Sequence, residues 1–211
     1  NSWKKEIDKN KFEIPTKIIC CYPQNEDFIL AHVNEIKNII KKAKNKNRNN
    51  KNIRLLFSAH GLPEKIIKKG DPYQYQIEKT VTKVIENLNI NEFLYTICYQ
   101  SKVGPLKWIG PSTEQEIIKS SKNNEIIVLV PIAFVSEHSE TLVELDIEYK
   151  EIANNNGCDL YFRAPALGKN KYFIKGLYNL ITKKNDNKII NKKFCNNDFK
   201  NCFYNTFWDK A

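Results

Sequence analysis

Six consecutive apolar residues, Ile126 to Pro131 (IIVLVP), limit the architecture more than any other stretch of this chain. The run shows no alternation, so both of its faces must be covered, as in an inner strand of a parallel sheet. After it the chain turns through Ser136, Glu137, His138 and Glu140 and takes the period of a helix. Leu142, Leu145 and Ile152 are then available to face a core. Residues three and four apart share a helix face, so Glu137, Glu140, Glu144, Glu148 and Glu151 are expected to form one acidic stripe. Like charges at that spacing repel by about a few tenths of a kcal/mol per pair. A cation, or protons passing along the stripe, would be a reason for it.

The same strand-then-helix pattern recurs. Short strands are expected at 18–21, 53–58, 93–98 and 158–162, with helices at 28–42, 73–88, 113–119 and 172–182. Such alternation predicts an α/β fold, a parallel sheet with helices on both faces in a Rossmann-like lobe. In that architecture ligands bind outside the C-terminal ends of the strands. His60, Trp108 and the Glu137–Glu140 turn all follow strands at that edge. The α/β domain is expected at 17–184. Residues 1–16 read as a polar remnant or linker of another lobe, and 185–211 as a tail without periodicity. Phe194, Phe199, Phe203, Tyr204, Phe207 and Trp208 suggest that the tail packs somewhere.

With 211 residues and 41% apolar content, the chain can build one good core but not two. No apolar run approaches the roughly 18 residues of a membrane span, and the start does not resemble a signal peptide. Because the first residue is Asn, the chain is expected to be less than a whole translation product. Net charge is +10, concentrated in Lys41, Lys42, Lys44, Lys46, Arg48, Lys51 and Arg54, and again in Lys183, Lys184, Lys188, Lys192 and Lys193. Both windows are rich in Asn and the first has no aromatic interleaving, so solvated loops are expected and not a nucleic-acid surface. Cys20, Cys21, Cys98 and Cys158 lie in or beside apolar runs, as small buried thiols do. Cys195 and Cys202 stand alone in the tail, and one such pair is not a metal site.

Among residues suited to chemistry, His60 stands out because Gly61 and Pro63 fix the backbone around it. An imidazole takes and gives protons near neutral pH. Glu140 has the strand-end position that a surface glutamate lacks. His138 beside it would bind a metal, hold Glu140 or cap the turn. In YQSKVGPLKWIGP, residues 99–111, Gly-Pro pairs give the loop a fixed shape. Trp108 there is either core or a flat wall for a planar ligand. Lys102 is a cation for an anionic substrate group, and Gly104 and Pro105 complete the candidate pocket loop. His32 lies near an apolar helix face, as a structural residue or as a neighbour of the site. Phosphate-binding glycine motifs and GxSxG are missing, so nucleotide and serine-hydrolase chemistry are not indicated.

LLFSAHGLP at 55–63, GDPY at 70–73, YQSKVGPLKWIGP at 99–111 and VPIAFVSEHSETLVELDIEY at 130–149 resemble ferrochelatases. ALGKNKYFIKGL at 166–177 is a weaker match. The resemblance covers roughly 15–182, read as the C-terminal two-thirds of the family's two-lobed chain. It implies a chelatase-like lobe that inserts Fe(II) into protoporphyrin IX with release of two protons. By that resemblance His60 receives pyrrole protons, Glu140 assists proton removal or guides the metal, and Trp108, with Lys102, Gly104 and Pro105, lines the porphyrin pocket. Glu137, His138, Glu144 and Glu148 join His60 and Glu140 as metal-handling candidates, the later glutamates continuing an acidic path. Glu137 stands where the family commonly has aspartate, so the charge is kept and its reach lengthened.

The resemblance also implies a missing N-terminal lobe as a required partner, and weak or no turnover without it. Some relatives hold a [2Fe–2S] cluster with three cysteines near the C-terminus. With only Cys195 and Cys202 in that region, no cluster is expected. A cytoplasmic location, peripheral to an inner membrane, or an organellar matrix in a eukaryote, follows from the insoluble ligand. Competing readings are a tetrapyrrole- or metal-binding protein without turnover, and a chelatase for another metal or a carboxylated precursor. The sequence carries no signal for oligomeric state.

Overall fold

The apolar run becomes an inner strand. In the computed structural model, which describes residues 2–13, 18–89, 93–182, 189–190 and 194–202, all six residues of Ile126–Pro131 are buried. We number this strand β4. It lies beside β2 (Ile53–His60), with β3 (Leu94–Gln100) and β5 (Tyr161–Arg163) outside them, in the order β3-β2-β4-β5. Every pairing is parallel, as expected from the alternation.

Successive side chains of the inner strands enter opposite layers. Leu55, Phe57, Val128 and Val130 pack with α2 (Glu26–Lys46), α4 (Tyr73–Leu88) and α7 (Lys171–Thr182). Leu56, Ile127 and Leu129 pack on the other face with α5 (Thr113–Lys122), Leu145 and α6 (Tyr149–Asn155). The remaining helices are α1 (Ser2–Asn10) and the short α3 (Glu64–Lys68), neither of which has a marked sequence signal. α2 begins where the Asn25 side chain accepts from the Phe28 amide at 3.0 Å. It has Glu26 and Asp27 in its first turn and Lys44 and Lys46 in its last, matching the helix dipole.

Three expectations change, and one that stood open, for His32, is decided. The 18–21 strand shrinks to β1 (Ile18–Ile19), which pairs in parallel with β6 (Ile189–Ile190) and stays out of the main sheet. Pro23, which has no amide to donate, follows closely and stops its extension. The basic window is not one loop, since α2 runs on through Lys46, while Lys51 pairs with Asp159 and Arg54 with Glu125. His32 is 3% exposed, edge-on to Phe28 at 4.7 Å, and burial holds its pKa down at about 3. It is a neutral core residue. The acidic segment opens as a π-helix (Glu140–Glu148), a wider coil than the expected α-helix, before α6 continues it. Leu145 is buried as expected, but the altered period leaves Leu142 at 48% exposure.

In the tail, Phe194 and Phe199 pack on Tyr75, with ring centroids 5.8 and 4.9 Å away. Phe203, Tyr204, Phe207 and Trp208 lie outside the described residues, as do the basic residues Lys183, Lys184, Lys188, Lys192 and Lys193. No described helix is long and apolar enough to cross a membrane.

Candidate active site

From β2 the chain crosses to β3 on one side, and from β4 to β5 on the other. The connections that leave the two paired inner strands therefore run in opposite directions from their C-terminal ends, where open α/β sheets leave a crevice for ligands. His60 is the last residue of β2, and the turn after β4 leads to Glu140 at the start of the π-helix. The two side chains meet there, with His60 Nδ1 2.8 Å from Glu140 Oε2. Both stay open to a ligand, at 42% and 37% side-chain exposure. An imidazole whose Nδ1–H points at a carboxylate keeps its Nε2 lone pair for an incoming proton or metal.

Gly61 is needed beside His60. Its amide donates to the Gln100 carbonyl at 2.9 Å, and a Cβ there would sit 2.9 Å from that oxygen and 3.2 Å from the Trp108 ring. Trp108 is thereby pressed against the backbone next to His60, and its Nε1–H donates to the Val103 carbonyl at 3.1 Å. It is half-buried on the 99–111 loop and is not among the fully buried core residues. Lys102, Gly104 and Pro105 lie exposed on the same loop, with Gly104 at a φ of +69°.

His138 caps the turn and holds Glu140. Its amide donates to Thr141 Oγ1 at 2.9 Å, and its Nδ1 accepts from the Glu140 amide at 3.2 Å. The other carboxylates do not converge on the pair. Glu137 turns to Arg163, at 3.0 Å, and to the Ala166 amide at 2.9 Å. Burial works against its charge, but hydrogen bonds from Thr141, Ala166 and Arg163 outweigh that and hold its pKa below the usual range. Glu144 accepts from Gln100, Ser101 and Tyr149. Glu148 and Glu151 are exposed. The single stripe therefore breaks up, because Glu137 precedes the helix and the π-helical turn rotates the rest. Among the described residues no three His, Cys, Asp or Glu side chains are grouped to hold a metal ion. The six metal-handling candidates are thus not a preassembled ligand shell.

Tyr73, the first residue of α4, was not among the candidates. Its hydroxyl lies beside the His60 backbone, and burial, then the charge of Glu140, pushes its pKa up to about 12. The quoted GDPY stretch contained it, although nothing local in those four residues signals a site.

The cysteine neighbourhood also needs revision. Cys20, then burial, then the Cys195 and Cys202 thiols push the Cys21 pKa up, and burial and Cys202 raise that of Cys195, so the tail thiols lie near the 20–21 pair. Gln76 donates to Cys195 Sγ at 3.4 Å. Among the described residues they are not grouped as a ligand shell.

A family model described as ferrochelatase matches residues 1–185. A ferrochelatase of Pelagibacter ubique is 57% identical over 205 residues, 95% of this chain and 58% of that protein. Those of Rickettsia typhi and Rickettsia prowazekii are each 48% identical over 212 residues, 97% of this chain and 59% of theirs. The chain thus spans under two-thirds of the length of these curated relatives. The similarity begins at residue 1 and runs through nearly the whole chain. That corrects the narrower expectation of a match confined to 15–182 as a C-terminal two-thirds, and these matches do not support an N-terminal lobe as a required partner. Matched at this identity and over this much of its length, the chain belongs to the ferrochelatase family.

Proposed function

We propose that the chain inserts Fe(II) into protoporphyrin IX, with the iron as substrate. The observation that carries this is the His60–Glu140 contact at 2.8 Å, held open at the strand crevice beside Trp108. Insertion replaces two pyrrole N–H protons with one divalent ion, so two protons must leave for each iron that enters. His60 Nε2 receives the two pyrrole protons in turn, passing the first to water before it takes the second, and the Glu140 carboxylate on Nδ1 stabilises the imidazolium formed each time. Glu140 also offers an anionic oxygen to the iron as it sheds water. His138 keeps the start of the π-helix in place.

A porphyrin is a flat apolar ring with carboxylate side arms. Trp108, with Val103 and Leu106 on its loop and Leu142, Val143 and Ile147 on the π-helix, offers exposed apolar surface for such a ring. Lys102, Gly104 and Pro105 belong to the same loop, with Lys102 as the cation for a carboxylate arm.

Anaerobic Fe(II) insertion, followed by the change in porphyrin absorbance, tests the reading. Insertion by the wild-type chain that is lost in both His60→Ala and Glu140→Gln is expected. Porphyrin binding without insertion would leave a tetrapyrrole-binding protein. Side-by-side trials of Zn(II) and of a more carboxylated porphyrin would identify a different chelatase.

A further inference from the structure

A buried polar chain runs beneath the site. Ser58, two residues before His60 in β2, is fully buried, and its Oγ lies 2.8 Å from both Gln100 Oε1 and Thr113 Oγ1. Gln100 is the β3 residue paired in register with His60 and is 1% exposed. The other end of its amide, Nε2, donates to Glu144 Oε2 at 3.0 Å and reaches the Glu140 carbonyl at 3.5 Å. Glu144 also accepts from the Ser101 amide at 2.9 Å, from Ser101 Oγ at 2.7 Å and from Tyr149 Oη at 2.9 Å. Ser101 takes a left-handed φ of +62° at that contact, a conformation that non-glycine residues seldom adopt.

An ionised carboxylate has about four lone-pair sites, and four donors fill them. Glu144 therefore has no vacant lone pair for a hydrated cation, and taking a proton would break bonds in a network that is satisfied throughout. Its place in the sequence, one step along the acidic series from Glu140, made it a candidate carrier. Its bonds join the end of β3 to the π-helix.

We propose that Glu144 is a positioning residue, which with Gln100 locks the π-helix to the strand ends and so sets Glu140 against His60. This rests on the reading of His60 and Glu140 as the reacting pair. Glu144→Gln keeps the size and an acceptor oxygen: with its new NH2 at the Oε2 place, Ser101 Oγ can rotate to accept, and the Gln100 amide can turn over so that its oxygen accepts while its NH2 donates to Ser58 Oγ. A lock should survive that change, whereas a proton or metal carrier should not.

The test compares Glu144→Gln, Glu144→Ala and Gln100→Leu in Fe(II) insertion and in histidine side-chain 15N–1H spectra. The chain has three histidines, His32, His60 and His138, and loss of a signal in His60→Ala assigns the Nδ1–H that faces Glu140. The expected result is that Glu144→Gln keeps kcat within about threefold with an unshifted pH profile. Glu144→Ala and Gln100→Leu should lower kcat about 30- to 100-fold at similar porphyrin KM, the scale of an ångström-sized misplacement. In both, the His60 Nδ1–H signal moves or exchanges away. Glu144→Gln as inactive as Glu144→Ala, or an unchanged His60 signal in Glu144→Ala, would overturn the proposal. If Glu144→Ala does not fold, Gln100→Leu and Ser101→Ala decide by the same two measurements. Should the wild type insert no metal, the chelatase reading fails while the spectra still decide the positioning.

Discussion

Strands β2 and β4 carry a charged pair at each end, and the two pairs are built differently. At the N-terminal end Arg54 grips Glu125 through two bonds of 2.7 and 3.0 Å, with side chains 16% and 6% exposed. At the C-terminal end His60 and Glu140 share one contact of 2.8 Å and remain 42% and 37% exposed. The first pair is bidentate and closed. The second leaves a ring nitrogen and a carboxylate oxygen uncommitted, with water able to be replaced by a ligand. Partners that clasp each other away from water hold a fold together, and partners that stay open to it are available for chemistry.

Removing one member from each pair is the most direct way to break this contrast. His60→Ala should lower Fe(II) insertion by about 10²- to 10⁴-fold, the usual contribution of a positioned acid–base group. Its urea midpoint should move little, because the side chain is partly exposed. Glu125→Ala should behave in the opposite way. It strands a buried guanidinium at a cost of about 3 kcal/mol in chemical denaturation, while the folded fraction keeps its kcat. A Glu125→Ala protein that is stable but inactive would erase the distinction.

A third ionisable group sharpens the comparison because its Nε2 has no hydrogen-bond partner among the described residues. Buried His32 has its pKa lowered from 6.5 to about 3, so the unfolded chain takes up its proton first as pH falls. Its contribution to stability is full above pH 6.5 and is lost progressively down to about pH 3. Between pH 7 and 5 the loss from this residue is about 2 kcal/mol. Urea titrations at the two pH values should show it, and His32→Phe should flatten the slope. The smallest effect concerns Arg163, which bridges Glu137 at 3.0 Å and Asp146 at 2.6 Å near the active end. Arg163→Gln should cost about 1 kcal/mol, since both acids are about a third exposed. A larger loss would place this bridge with the closed pair.

Much of this was legible beforehand. β4 follows from six unbroken apolar residues, and α4 from a turn at Gly70–Pro72 with a regular helical period after it. His60 and Glu140 were nominated from strand-end logic and from the resemblance, and the structure brings them into contact. The acidic stripe was misread because periodicity is blind to a change of helix type. An i, i+4 pattern of glutamates looks alike whether the coil is α or π, and only the packing of Leu145 and Tyr149 against the sheet distinguishes them. The place of Tyr73 beside His60, and the nearness of Cys195 and Cys202 to Cys21, are not legible for a related reason. Each depends on segments far apart in the chain, whose meeting leaves no local pattern.

What the chain determines by itself is therefore composition along each element: which runs can be buried, which face of a helix is apolar, where a glycine must stand. These follow from water exclusion and backbone sterics, which act over a few residues at a time. Which carboxylate stays open for chemistry, and which is consumed as a tie, was decided only in three dimensions. Glu140 and Glu144 are the same residue type four positions apart, and what separates them is the set of donors each meets. Gln100, Ser101 and Tyr149 surround one, a single imidazole faces the other, and hydrogen bonds form by proximity in space regardless of distance along the chain.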